Sequence, residues 1–244
     1  MRQASLLETA GFPAEGRIFP VTSFDLRVVD DDHPWVLAHR DQIAENWVQE
    51  VERNPALYDG RMVFQHRLSL ADGHVRGRAH MVPFSAFLYW RKQARGPGGF
   101  HLFGLPLVMS SDGALIAIRM AETTANPGRV YCAAGSMDAH DLVEGRCDLD
   151  LNMRREVREE TDLDLADAET DRRYFATHSL NTVTVFRIFR FSLTADAILE
   201  KVAAHVAADP EPEITNAVAI RDADPTAHDY AFFMLPILKW LFEK

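Results

Sequence analysis

Residues Gly135–Leu163 read GSMDAHDLVEGRCDLDLNMRREVREETDL, and the rest of the chain is read outward from them. The second half of this stretch predicts a helix over about Leu149–Thr161. At ~100° per residue, Leu149, Met153 and Val157 fall on one apolar stripe. Glu156, Glu159 and Glu160 fall within an arc of about 100° that overlaps and flanks the stripe. Three carboxylates therefore gather beside the surface that the helix turns to its core. Like charges three and four residues apart destabilise a helix, and partial burial adds to the cost. Arg155, four residues before Glu159, offsets part of that repulsion. A hard divalent cation with oxygen ligands would offset the remainder, and Mg²⁺ suits carboxylates that also face phosphates. Taken alone, the hexapeptide Arg155–Glu160 is equally what a salt-bridged surface helix contains.

On either side, strand and helix signals alternate. The runs Gly104–Ser111 and Ala114–Met120 flank Asp112-Gly113 and predict a hairpin. Arg129–Ala134 reads as a short strand ending at Gly135. After the helix, strands are expected over Arg172–Leu180 and Val183–Leu193, and a helix over about Ala195–Ala207. An acidic loop then leads to a strand, Ile214–Ile220, and an apolar helix from about Ala227 to Phe242. Toward the N-terminus, Arg17–Val29 reads as a strand closed by the acidic turn Asp30-Asp31-Asp32. That triplet is taken as a solvated turn near a helix N-cap rather than a metal cluster. A helix over about Pro34–Arg53 follows, stopped by Asn54-Pro55. Arg61–Leu70 and His74–Met81 form a predicted hairpin around Asp72-Gly73, and Pro83–Gln93 a short aromatic helix. Gly96-Pro97-Gly98-Gly99 has no following Lys-Ser/Thr and no strand-then-helix setting, so it reads as a linker and not a phosphate loop. The boundary is placed there, giving an N-terminal α+β segment of residues 1–100 and a domain over 103–244. Strands and helices in this order predict a mixed sheet covered by helices on both faces.

Composition narrows the function. Against 36 Asp+Glu the 244 residues carry 26 Lys+Arg, a formal net charge of −10. A face that grips nucleic acid through its phosphates must be basic, so no large nucleic acid is expected as partner. A small anionic ligand remains open, because one local cation or a bound metal can meet its charge. No apolar run approaches the ~20 residues of a membrane span, and the N-terminus lacks signal-peptide organisation, so a cytoplasmic location is expected. Cys132 and Cys147 make neither a disulfide framework nor a C-x-x-C site and read as reduced, buried thiols. No pair among the ten histidines has the H-x-x-x-H or H-E-x-x-H spacing, so they read as scattered structural or surface residues. G-x-S-x-G is absent as well. Phe19, Trp35, Trp47, Phe84, Phe87 and Trp90 are more aromatic surface than a solvated extension carries. The N-terminal segment is therefore expected to pack on the rest, shape a pocket or form a homodimer surface.

The Gly135–Leu163 segment resembles the Nudix box, whose pattern is G-x5-E-x7-R-E-U-x-E-E-x-G-U, with U aliphatic. Gly135, five residues and Asp141 match its start, with Asp in place of Glu. Arg155-Glu156-Val157, Glu159-Glu160 and Leu163 match its second half. Thirteen residues separate Asp141 from Arg155 where the pattern has seven, an insertion around Val143–Cys147, and the late glycine is Asp162. In that family the glycine ends the helix in a left-handed conformation, which Asp tolerates less well than Gly but better than most residues. Asn54–Asp59 is similar to a stretch in the family branch that includes a UDP-sugar hydrolase.

The resemblance implies an α/β (α+β) fold: a Nudix-type α/β/α sandwich with a mixed sheet, preceded by an N-terminal α+β extension. It implies Mg²⁺- or Mn²⁺-dependent hydrolysis of a nucleoside diphosphate linked to another moiety, with a small nucleotide as substrate. Glu156, Glu159 and Glu160 would be the metal ligands. Arg155 would orient them, Glu159 and Glu160 would also serve catalysis, and Glu211 or Glu213 could supply a base from a later loop. Gly135 and Asp141 would lie at the bound substrate. From a different class, the same segment fits a non-catalytic module that binds a nucleotide or a partner.

Overall fold

Asp72 and Gly73 both adopt positive φ, 51° and 77°, as a two-residue hairpin turn between right-twisted strands requires. They join the antiparallel strands Arg61–Ala71 and His74–Pro83, the longest in the computed structural model, which describes residues 5–243. The chain divides into two compact units. The first comprises Met1–Phe103, Ser136–Leu149 and Ala176–Thr184; the second comprises Gly104–Gly135, Asp150–Phe175 and Val185–Lys244. Both contain sheet and helix, so the class is the mixed α/β one expected.

The first unit is built on a five-stranded sheet in the order Arg61–Ala71, His74–Pro83, Ser23–Val29, Arg146–Cys147, Leu142–Val143. Ser23–Val29 runs parallel to His74–Pro83 and antiparallel to Arg146–Cys147. The helical segments Pro34–Ala38, Arg40–Arg53 and Phe84–Lys92 accompany this sheet. The single helix expected over Pro34–Arg53 is broken at His39 (φ −121°, ψ 21°), whose Nδ1 pairs with the Trp35 carbonyl at 2.8 Å. Its N-cap is His33 rather than a member of the Asp triplet: His33 Nδ1 accepts the Trp35 N–H at 3.2 Å. Ile43, Met62, Phe64, Val82, Ala86, Phe87 and Trp90 form the core here, and Trp90 donates to the Gly96 carbonyl at 3.0 Å. A large apolar ring with its one donor satisfied is what a core accepts most readily. A bulge interrupts the hairpin between Gln65 and Arg67. His66 lies 5.2 Å from His33 and 5.6 Å from His80, ring to ring, and His33 lies 5.1 Å from both His80 and Phe64. The histidines read as scattered are thus partly gathered.

In the second unit, residues 185–190, 104–109, Leu115–Met120 and Ile214–Ile220 follow one another in the sheet. Glu169–Thr170 pairs with the first of these and Val130–Tyr131 with the third. Helices Leu149–Thr161, Ala195–Ala208 and Met234–Phe242 belong to this unit apart from Leu149. The stripe Leu149, Met153, Val157 is buried as the periodicity predicted. Gly104 makes that packing possible, since a Cβ there would meet Met153 Cγ at 2.8 Å. Arg187, nearly buried, donates to both oxygens of Asp150 at 2.7 and 2.8 Å and so anchors the first turn of the box helix to its strand.

Three expectations need correction. A single cut near residue 100 does not separate the units, because 136–149 and 176–184 group with the first hundred residues. The insertion explains the first of these: Leu142–Val143 and Arg146–Cys147 form a hairpin, turned at Glu144 (φ 50°) and Gly145 (φ 73°), that extends the first unit's sheet through the register Arg27↔Arg146. The C-terminal helix begins at Met234, not Ala227, because the preceding backbone is already spent. Asp229 accepts from Val130 N–H, and Ala231 N–H donates to Val130. The strand expected over Arg129–Ala134 shortens to Val130–Tyr131. Among the described residues no helix is long and apolar enough to cross a membrane. Cys132 and Cys147 are both unbridged.

Two outcomes follow from the first unit. A chain beginning near Phe100 loses the strand on which the Leu142–Cys147 hairpin rests and should be insoluble or inactive; a monodisperse product with unchanged kcat/KM would refute this. Burial, with His80 and His66 beside it, lowers His33 from 6.5 to about 4. The unfolded chain then takes up a proton that the folded one refuses. Stability is complete above pH 6.5 and falls as pH drops toward 4, by up to about 3 kcal/mol. His33→Asn keeps an N-cap acceptor and should flatten this part of the stability–pH curve measured by urea denaturation.

Candidate active site

The Leu149–Thr161 helix presents the carboxylates beside its buried stripe, as its sequence requires. Glu156 and Glu160 are each only 8% exposed, whereas Glu159 is exposed. Arg155 ties two of them together, with Nη2 at 2.7 Å from Glu156 Oε1 and Nη1 at 2.8 Å from Glu159 Oε2. Glu160 Oε2 is buried with no hydrogen-bond partner. Burial, then Glu156, Glu213 and Glu159, push the Glu160 carboxyl well above the usual carboxylate range, and a backbone bond from Ala134 only partly opposes them. Four acidic side chains thus act on one another across a single region of the second unit. Glu213, exposed just before the strand Ile214–Ile220, joins the box residues. Glu211 remains in the preceding loop, its N–H bonded to Asp209 Oδ1.

Gly135 belongs to this region for a steric reason. A Cβ at Gly135 would lie against both carboxylate oxygens of Glu156, so the glycine clears the space that this carboxylate fills. The resemblance had assigned it instead to a close approach of substrate. Asp141 lies in the first unit and is fully buried. There it closes the short turn Ala139–Asp141, accepting from Asp138 N–H at 3.0 Å through Oδ2 and from Asp148 N–H at 2.8 Å through its carbonyl. That is a capping role. Asp162 does what the missing glycine would do: its φ is 54° and its N–H donates to Arg158 O at 3.0 Å, ending the helix. Sequence reasoning missed His205, whose Nε2 lies 2.9 Å from the Glu159 carbonyl and caps the same helix end. No local signal announces it, since 46 residues separate the two.

Among the described residues no three His, Cys, Asp or Glu side chains stand ready to hold a metal ion. The ion pairs give a reason, because Arg155 occupies one oxygen of Glu156 and one of Glu159. The donor set nevertheless fits a hard cation: all its ligand atoms are carboxylate oxygens, and one of them, Glu160 Oε2, is buried and unsatisfied.

No family model and no curated protein matches the chain. Among solved structures it is similar to a MutT protein from Methanosarcina mazei Go1, at 13% identity over 58% of this chain and 92% of that one, with a TM-score of 0.37. It is also similar to RenU, a Nudix hydrolase from M. smegmatis, at 11% identity over 58% of this chain and 82% of that one, again with a TM-score of 0.37.

Asp162→Gly should stabilise the protein slightly, by about 0.5 kcal/mol. It removes a Cβ from a left-handed position and an acid from the negative end of the helix, partly offset by the looser unfolded chain. Urea denaturation and steady-state kinetics check it. Large activity loss at unchanged stability would make Asp162 a functional contact instead.

Proposed function

We propose that this acidic region is the catalytic site of a Mg²⁺- or Mn²⁺-dependent hydrolase that cleaves the diphosphate linkage of a nucleoside diphosphate derivative. The observation that carries the reading is Glu160: a buried carboxylate with an unsatisfied oxygen, set among Glu156, Glu159 and Glu213. A fold has no stabilising use for such a cluster, whereas a site for a divalent cation does. The match to the Nudix box over Gly135 and Arg155–Glu160 supports the same reading from sequence.

Glu156, Glu159 and Glu160 would hold the cation, whose chemistry is to neutralise charge developing on the diphosphate and to acidify attacking water. Arg155 orients Glu156 and Glu159 through its two ion pairs. Gly135 keeps the space in which the Glu156 carboxylate sits. Glu213, exposed and beside Glu160, takes the proton of the attacking water and returns it to solvent. A second reading, a nucleotide-binding module without catalysis, draws support from the same Arg155 pairs, because they already neutralise two of the acids.

Thermal denaturation and turnover distinguish these. Because the folded state holds the Glu160 proton above the usual carboxylate range, the unfolded chain releases it first, so metal-free stability falls as pH rises above about 4.5. Mn²⁺ should raise the melting midpoint of the native protein at pH 8. Glu160→Gln should raise the metal-free midpoint and abolish the response to Mn²⁺. Glu159→Gln should lower kcat at least ~100-fold on the best of a panel of nucleotide sugars, ADP-ribose and dinucleoside polyphosphates, with the fold intact. A native protein indifferent to Mn²⁺ would end the metal-site reading, and Mn²⁺ binding without turnover across the panel would favour the module.

A further inference from the structure

The five-stranded sheet of the first unit leaves half of one face open to solvent. Along His74–Pro83, His74, Arg76 and Arg78 are exposed, whereas Val75 and Ala79, on the opposite face, are buried. That alternation belongs to a sheet with one wet face. Further along the wet face, His80 and Val82 are covered. Strand register fills the bare half with arginine. Arg67 lies opposite Arg78, Arg78 opposite Arg27, and Arg27 opposite Arg146. Four arginines therefore stand side by side across four adjacent strands, in a row about 14 Å long at about 4.8 Å per strand. Arg76 opens a second row about 6.7 Å away, beside Asp25 and Ser69. All five arginines are exposed.

Like charges directly opposite one another on adjacent strands destabilise a sheet, and acids do not balance this face. Asp25 pairs with Arg27 and Arg146, each at 3.1 Å, and Asp31 with Arg78 at 2.7 Å. Arg67 and Arg76 have no ion-pair partner among the described residues. Five arginines against two aspartates leave an excess of three positive charges, on a chain whose net charge is −10. The excess reaches His66, which burial, then His80, Arg67 and Arg78, hold below its usual range. Composition hides this face, because its arginines come from positions 27, 67, 76, 78 and 146 and only strand pairing unites them. Exposed acids follow closely in sequence: Asp30 after Val29, and Glu144 in the turn before Arg146.

We propose that this arginine row binds the phosphodiester backbone of a single-stranded nucleic acid. A guanidinium fork matches two phosphate oxygens, and a row of forks matches a ligand with one charge per residue. A narrow strand can follow the row without meeting Asp30 and Glu144, whereas the broad surface of an anionic membrane would meet both. No Phe, Tyr or Trp is among the exposed residues of these five strands. Bases therefore have no stacking platform, and the contact is with phosphate. At physiological ionic strength, charges more than about 8 Å away are largely screened, so the local excess decides contact and the net charge does not. The face makes no use of Glu160 and stands whether or not the chain is a hydrolase.

Fluorescence anisotropy of the full-length protein with a labelled oligo(dT) of about twenty nucleotides, in a chelating buffer at about 50 mM salt, tests it. Saturable binding is expected, weakening with salt at a log–log slope of about −2, the value for about three neutralised phosphates on a single strand. Arg67→Gln and Arg76→Gln together should weaken binding at least ~10-fold and reduce the slope to about −0.7. Their melting midpoint should equal or exceed the native one, since repulsion on the sheet is relieved. Arg172→Gln with Arg173→Gln, both exposed in the second unit, changes the net charge equally and should alter affinity less than about twofold. Four results would each overturn the proposal: no saturable binding, undiminished affinity without Arg67 and Arg76, an equal loss in the second-unit pair, or tighter binding to phosphatidylserine vesicles or polyglutamate than to oligo(dT).

Discussion

The constraint on which the second unit turns is the burial of Glu160 beside three other carboxylates. Removing a charge from water costs several kcal/mol unless a partner restores the lost solvation, a sum comparable to much of a domain's net stability. The surrounding structure is arranged to bear this cost. Met153 and Val157 fix the helix against the sheet, Gly104 admits Met153, and Arg187 secures the first turn through Asp150. Gly135 then leaves room for Glu156, and Arg155 spans Glu156 and Glu159. Each of these residues serves the placement of negative charge, and none of them neutralises Glu160.

Much of this was legible in the sequence, for local reasons. Helix Leu149–Thr161 and strand Ile214–Ile220 have the bounds that periodicity predicts, because a clear apolar stripe or a run of β-branched residues leaves few alternatives. Asp162 was readable as a left-handed helix end because the resemblance puts the family's helix-ending glycine at that position. What escaped the sequence depends on distant partners. The bridge of Val130 to Tyr230 shortens an apparent helix, and His39 breaks another by folding its ring back onto the Trp35 carbonyl. The pairing of His205 with Glu159 and the gathering of His33, His66 and His80 arise only when strands and helices far apart in sequence meet. Gly135 shows a subtler limit: its position was readable, but the group that occupies its space was not.

The insertion within the box and the hairpin around Leu180-Asn181 both add to the first unit, although each is flanked in sequence by the second. The two interleave along the chain, and this governs how the protein can be made. During synthesis the N-terminal hundred residues emerge with the edge of Ser23–Val29 still waiting for Arg146–Cys147 and with Gly16 N–H waiting for the His178 carbonyl. Neither unit can finish before most of the polypeptide has left the ribosome, so completion depends on contacts of long sequence separation, which form slowly. In that interval the unpaired strand edges are open to pairing with other chains. Chaperone demand and sensitivity to translation rate are therefore properties of this topology itself, set by where the chain crosses from one unit to the other.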